Sequence, residues 1–479
     1  MNNHVDAMIS DAAAATQAPP PRHRNVEILL NGPIGPTLAR LAAPNTIAFL
    51  VGSGVAVAEM WFVGQLGTHA LAGLALGFPI FMLMMMLSAG ALGGAMAAAV
   101  ARAVGSHRTG QAEALAWHAL IIALAAAGFF TLFYRLYGAA FYTFLGASGE
   151  TLAAVIAYSD IVLVGGVVIW LVNAFSSLLR GAGDMKSPAL AMLLAAAIQI
   201  PLGGALALGW GPFPRIGIAG VAWGAVIAFA IAALFLGYRL VSGRSGLRLR
   251  LAALRLRWTL FREILDVGLV ASISPITSVA TVIMLAGLVS GFGDAALAGF
   301  GIAARLEFLL IPIVFGIGAA MIAMVGANMG AGQLARAHRI GWTGGLAAAV
   351  IAGAIGSATA LWPGAWAGLF TENMPVLMAA TVYLTIVGPF YAFHGLGLSL
   401  YFASQGAGTV IWPVLFGGAR LLITAGGGIV AVQSFNMGFA GLPWFVAASM
   451  AVYGLGTALS IYLGAWRHHQ MVQNTPEML

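Results

Sequence analysis

The feature that most constrains this chain is a rhythm: apolar runs long enough to cross a bilayer recur from one end to the other. A helix rises about 1.5 Å per residue, so crossing the hydrocarbon core takes about 20 apolar residues. Read between glycine, proline and charged punctuation, such runs lie near 37–63, 68–97, 115–143, 151–179, 188–210 and 217–240. Six more lie near 266–290, 295–325, 342–370, 375–403, 410–432 and 442–465. Backbone polar groups inside hydrocarbon must be satisfied within the segment that carries them. The pattern therefore predicts an all-α polytopic membrane protein with twelve transmembrane helices.

Composition agrees. Charged residues make up 7% and hydrophobic residues 61% of the chain, against roughly 25% charged in soluble domains. So little charge could not cover a water-facing surface. There is no cysteine, which excludes a disulfide framework and thiol chemistry. Lys and Arg outnumber Asp and Glu by 21 to 14. In a chain of this kind the excess marks basic cytoplasmic loops, not a nucleic-acid surface.

Residues 1–30 are polar and rich in Ala and Pro, with no apolar core or cleavage site of a secretory signal. They read as a disordered cytoplasmic tail, and 467–479 as a cytoplasmic C-terminal tail. Arg102 and Arg108 follow the second run, Arg180 and Lys186 the fourth, Arg336 and Arg339 the eighth, and Arg467 the twelfth. An Arg-rich stretch over 241–262 follows the sixth. With twelve spans all of these fall on one side, so both termini are expected in the cytoplasm.

The two halves resemble each other. Residues 63–73 read VGQLGTHALAG and residues 289–299 read VSGFGDAALAG, with six of eleven positions shared at an offset of 226. Gly181-Ala182-Gly183 precedes Pro188 as Gly406-Ala407-Gly408 precedes Pro413, at an offset of 225. Each half holds six runs, so both enter the membrane from the same side. The expected architecture is two parallel-repeat six-helix lobes, 31–240 and 263–466, joined by the basic linker 241–262. In such folds the substrate path lies between the halves, and rocking of one against the other gives alternating access.

The run from Glu59 through VGQLGTHALAG, Ala101-Arg102 with Gly105, and LLRGAGDMKSP at 178–188 resemble the multidrug and toxic compound extrusion (MATE) family. The second half adds Ala303-Ala304-Arg305-Leu306-Glu307 and Asn328-Met329-Gly330-Ala331-Gly332. The resemblance covers about residues 30–465. It implies a bacterial inner-membrane efflux antiporter that exports organic, often cationic, amphipathic compounds in exchange for H⁺ or Na⁺. The acidic residue in the first span is similar to that of the DinF-type branch. Na⁺ coupling and a lipid-linked sugar flippase of the same superfamily are the alternative readings.

Ionisable residues inside a span cost about 2.5–3.5 kcal/mol each to insert, so each is a functional candidate. Glu59 lies in the first span, about 6 Å from its outer end at about 1.5 Å per residue. A carboxyl there can take a proton from one side and release it on the other. The resemblance sets Gln199 beside it, where the branch has Asn, while Gly203 replaces the branch's second carboxylate. His394 stands near a position where the other branch has Asp, and its imidazole titrates near neutral pH. These three are the candidate ion-coupling residues.

Arg305 and Glu307 lie well inside the eighth span but two residues apart, so they do not face each other. Each needs another partner: a neighbouring carboxylate for Arg305, and substrate, an ion, Arg305 or Arg420 for Glu307. Asp160 in the fourth span is the third candidate for contact with substrate or ion. Asp184, Lys186 and Arg180 are expected to form a salt-bridge set in a loop.

No phosphate-binding loop precedes the single lysine, Lys186, and no zinc motif or catalytic constellation is present. The chain therefore reads as a transporter rather than an enzyme. It is expected to carry no cofactor or metal, and its partners to be small organic substrates and the bilayer, with no nucleic acid, as a monomer.

Overall fold

The computed structural model describes residues 21–467 apart from 436; residues 1–20 of the tail expected over 1–30, and 468–479 of the one expected over 467–479, lie outside the described residues. The described residues are all helix, turn and coil. Eleven helices are long and apolar enough to cross a membrane: α1 Ile34–Gly64, α2 Thr68–Gly105, α3 Thr109–Phe144, α5 Lys186–Leu208, α6 Ile218–Ser242, α7 Trp258–Ser290, α8 Asp294–Gly330, α9 Leu334–Leu361, α10 Met374–Ala407, α11 Ile411–Phe435 and α12 Phe439–Tyr462. The twelfth span, α4, is a bent pair, Gly149–Val164 and Gly166–Gly181, with a 45° break. The expected spans are all present.

Several helices run beyond their apolar runs. α2 continues to Gly105, α8 to Gly330, and α7 begins at Trp258. Hydropathy senses hydrocarbon, whereas the helical hydrogen-bond ladder continues past it. Arg262, read as part of the linker, consequently lies in the first turns of α7 and pairs with Asp266 at 3.2 Å. The tail expected through residue 30 is also shorter, because Pro21–Asn31 forms a helix. It is too short to span, but Leu29 and Leu30 are buried. Leu29 sits against Gly183, and its carbonyl accepts from Asn328 Nδ2 at 3.0 Å.

The duplication extends to the interruptions of the helices. α2 loosens into a π-turn over Met86–Ala91, and Pro312 interrupts α8 at the position that the repeat pairs with Met86. α4 breaks at Gly165, and α10 tightens into a 3₁₀ turn over Gly388–Phe390, where the repeat pairs Phe390 with Gly165. Pro201 interrupts α5, and its counterpart Gly426 falls within a π-turn over Leu422–Gly427 in α11. Proline and the π-bulge both break the i→i−4 ladder and bend a helix.

The halves meet along α1 and α2 on one side and α7 and α8 on the other. The seam is tight at one end only. All of Leu92–Gly105 is buried, whereas over Thr68–Met85 only Gly73, Gly77 and Met84 are. A Cβ on Gly105 would lie 2.0 Å from the Ala327 carbonyl oxygen, and one on Gly330 would lie 2.0 Å from that of Arg102. Only glycine permits so close a backbone crossing.

Hydrogen bonds between the halves lie at the same end among the described residues. Arg102 Nη2 donates to Glu263 Oε1 at 3.2 Å and Arg102 Nη1 to the Gly406 carbonyl at 3.4 Å. Gln405 Nε2 donates to the Gly90 carbonyl at 3.1 Å, and Arg336 donates to the Gly32 carbonyl.

Candidate functional site

Two polar clusters stand inside the helical bundle, one in each half. In the first, Gln199 Nε2 donates to Glu59 Oε1 at 2.7 Å. The contact depends on the close approach of α1 and α5. One turn from each residue, Gly204 lets the Phe62 ring approach to a distance that a Cβ would bar, at 2.6 Å. Phe62 in turn packs edge-on against Trp210, with ring centroids 5.6 Å apart. Gly203 faces α6, with Val221 as its nearest neighbour, and serves helix packing.

The second cluster draws on three helices. Glu307 of α8 accepts from Arg420 Nη2 of α11 at 3.0 Å, and His394 Nε2 of α10 stands 3.7 Å from the same carboxylate oxygen. His394 and Arg420 are buried. Beside them lies a small cavity lined by Ser274, Ser278, Thr281, Leu398, Gly417 and Tyr453. Arg420 Nε and His394 Nδ1 are buried without hydrogen-bond partners among the described residues.

The two carboxylates thus differ in kind. Glu307 is held by a guanidinium, and its charge is balanced inside the protein. Glu59 has a neutral amide as its hydrogen-bond partner, and no cation lies within salt-bridge distance among the described residues.

The remaining candidates are scattered. Arg305 has no carboxylate partner among the described residues; its guanidinium lies over the Phe370 ring at 5.2 Å. Asp160, partly exposed, accepts from Tyr134 Oη at 2.8 Å and stands 3.6 Å from Arg135. The expected loop set is also rearranged. Asp184 accepts from the backbone amides of Lys186 and Ser187 and from Ser187 Oγ, and its salt-bridge partner is Arg239 at 3.6 Å. Arg180 points away from it, donating to Asn45 Oδ1 at 3.3 Å and covering the Phe49 ring. Short loop side chains find the nearest backbone donors first, and a long arginine from α6 completes the set.

The seam between the halves carries residues that were quoted as motif but given no role. Arg102, Gly105, Asn328 and Gly330 all sit at the tight end. Of these, Gly105 and Gly330 recur at the repeat offset of 225, and that recurrence is the signal the sequence offers.

The sequence model of the MatE family matches this chain twice, over residues 44–204 and 270–430. The chain belongs to the MatE family. The two matched segments are displaced by the offset of the internal repeat, so each half is one copy of the family's unit. The probable multidrug resistance protein NorM of Thermotoga maritima is 26% identical over 444 residues, 90% of this chain and 92% of that one. A FAD transporter of Shewanella oneidensis is 29% identical over 315 residues, 65% of this chain and 69% of its own length. A solved structure of a multidrug resistance MATE family transporter of the MOP superfamily, in an outward-facing conformation, superposes with a TM-score of 0.84. It is 25% identical, and the match covers 93% of this chain and 99% of that one. This MatE protein is a multi-pass membrane transporter, not an enzyme.

Proposed function

We propose that this protein exports organic, cationic amphipathic compounds across the bacterial inner membrane in exchange for H⁺, with Glu59 as the coupling residue. The observation that carries the reading is the difference between the two half-buried carboxylates inside the bundle. An ionised carboxylate away from water needs a counter-charge. Glu307 has one in Arg420, whereas Glu59 has the Gln199 amide. A proton or a cationic cargo can complete Glu59, but not both at once. Arrival of a proton then releases the cation, which is the exclusion that antiport needs. Gln199 keeps the carboxyl aimed in either state.

The positive-inside rule assigns the tight end of the seam, with Arg102, Arg180, Arg239 and Arg336, to the cytoplasm. On that assignment the structure is closed to the cytoplasm, and the exporter stands in its outward-facing state. Likeness to the multidrug resistance protein of Thermotoga maritima supports drug cargo. Likeness to the FAD transporter favours a second reading, in which the cargo is an anionic dinucleotide.

Uptake of a fluorescent organic cation, or of FAD, into proteoliposomes under an imposed pH gradient and then a Na⁺ gradient tests these readings. The proposal expects pH-driven movement of the cation, and its loss in Glu59→Gln protein that still inserts. Normal transport by that variant would remove Glu59 from the mechanism. Movement driven only by Na⁺ would replace the coupling ion, and movement of FAD alone would replace the cargo.

A further inference from the structure

A second polar cavity lies away from both clusters, at the same end of the bundle as the tight seam. It is enclosed by the Pro21–Asn31 helix, the start of α1, the α4–α5 turn and the end of α6. Its volume is about 240 Å³, many times the 10–15 Å³ or so that admits one water. Four basic side chains line it: Arg40, Lys186, Arg239 and Arg244. Its single acidic residue, Asp184, is already committed to two backbone amides, Ser187 Oγ and Arg239. Arg40, Lys186 and Arg244 have no carboxylate partner among the described residues.

One further atom points to a ligand. Ser245 is 2% exposed and lines this cavity, yet its hydroxyl has no hydrogen-bond partner among the described residues. A buried hydroxyl left unpaired is costly. An unpaired hydroxyl beside three cations without carboxylate partners, one of which, Arg244, lies over the Tyr238 ring at 5.9 Å, forms a donor set for an oxyanion with several acceptor oxygens.

We propose that this cavity is a binding site for a phosphate-bearing anion. Two sources share that chemistry: the headgroup of an anionic phospholipid at the membrane surface, where basic pockets between helices hold such groups, and soluble phosphate. The cavity's outer wall is the Pro21–Asn31 helix. The carbonyls of Leu29 and Gly32, at its end, accept hydrogen bonds from Asn328 and Arg336 of the other half. An anion that pins this helix also reinforces the closed end.

The test uses the full-length protein, with its thermal unfolding midpoint as readout. It is measured in phosphatidylcholine nanodiscs with increasing phosphatidylglycerol, and in detergent with increasing inorganic phosphate. The midpoint is expected to rise with at least one of these anions. A rise with phosphatidylglycerol alone assigns a lipid headgroup, and a rise with both assigns the phosphate group itself.

The triple variant Arg40→Gln/Lys186→Gln/Arg244→Gln is expected to weaken the apparent affinity about a hundredfold, since each basic residue near an anionic headgroup contributes about fivefold. These side chains are exposed, so the variant should keep the fold without ligand. Ser245→Ala should weaken binding severalfold and leave the unliganded midpoint unchanged, because that hydroxyl has no partner to lose. Arg255→Gln/Arg257→Gln, on the exposed basic linker, is the control for general surface charge. The proposal is overturned if neither anion raises the midpoint, or if the control pair loses as much affinity as the pocket triple.

Discussion

Replacing Gly105 and Gly330 together by alanine should force the tight end of the seam apart. Each new Cβ would fall 2.0 Å from a carbonyl oxygen of the opposite half, where ordinary contact begins at 3.4 Å. The obstructing atoms are backbone, so no rotamer change relieves the clash and the two helices themselves must separate. One opening motion relieves both clashes, so the two costs do not add. Overpacking of this kind costs about 1–3 kcal/mol, which lowers the population of the closed-end state about five- to 150-fold relative to its alternative. The separation also strains the Arg102–Glu263 and Gln405–Gly90 contacts.

The chain has no native cysteine, so spin labels at Gly110→Cys and Ala335→Cys report this end cleanly. Electron–electron distance measurements should show a longer population in the double variant, accompanied by slower export. Gly54→Ala, where a Cβ meets nothing within 4 Å, should behave as wild type. A double variant with the wild-type distance distribution and export rate would refute the assignment of this crossing as the closed gate.

Two more outcomes follow from the ion pairs. Arg420→Met leaves the Glu307 carboxylate buried without its cation and should lower stability by about 3–5 kcal/mol; Glu307→Gln/Arg420→Met should recover most of the loss, as read by thermal unfolding in detergent. Glu263→Gln removes the carboxylate that takes Arg102 at 3.2 Å and Gln111 at 3.4 Å. It should weaken the closed end by about 1.5–3 kcal/mol, the worth of a hydrogen bond to a charged group, and give the same longer spin-label distance as the glycine pair.

The parts of this molecule that were legible in its sequence were those whose physics is local. Twelve spans follow from apolar runs, because transfer into hydrocarbon is a property of each segment alone. Glu59 stood out because a carboxyl in VAVAEMWFVG is costly wherever the helix packs. What escaped was pairwise. The partner of Glu307 lies far along the chain on α11, and several candidates fitted equally well until α8, α10 and α11 were brought together. The seam escaped because Gly105 and Gly330 look ordinary in a chain with 64 glycines. Their necessity appears only when an opposing carbonyl is placed against them.

The helix breaks belong between these cases. Pro201 and Pro312 were readable, whereas the π-turns at equivalent places in the other half carry no proline. The two halves therefore interrupt the helical ladder in the same place by different chemistry, so the interruption is the repeated feature rather than the residue that makes it. The charges are not repeated. The first half has Glu59 with Gln199, and the second has Glu307 with Arg420 and His394. If Glu59 is the coupling residue, as proposed above, a duplicated frame with one uncompensated carboxylate lets both halves move alike while only one responds to the proton. That division is what the Glu59→Gln and Arg420→Met variants separate, since the first should abolish coupling in a stable protein and the second should destabilise the half that holds the frame.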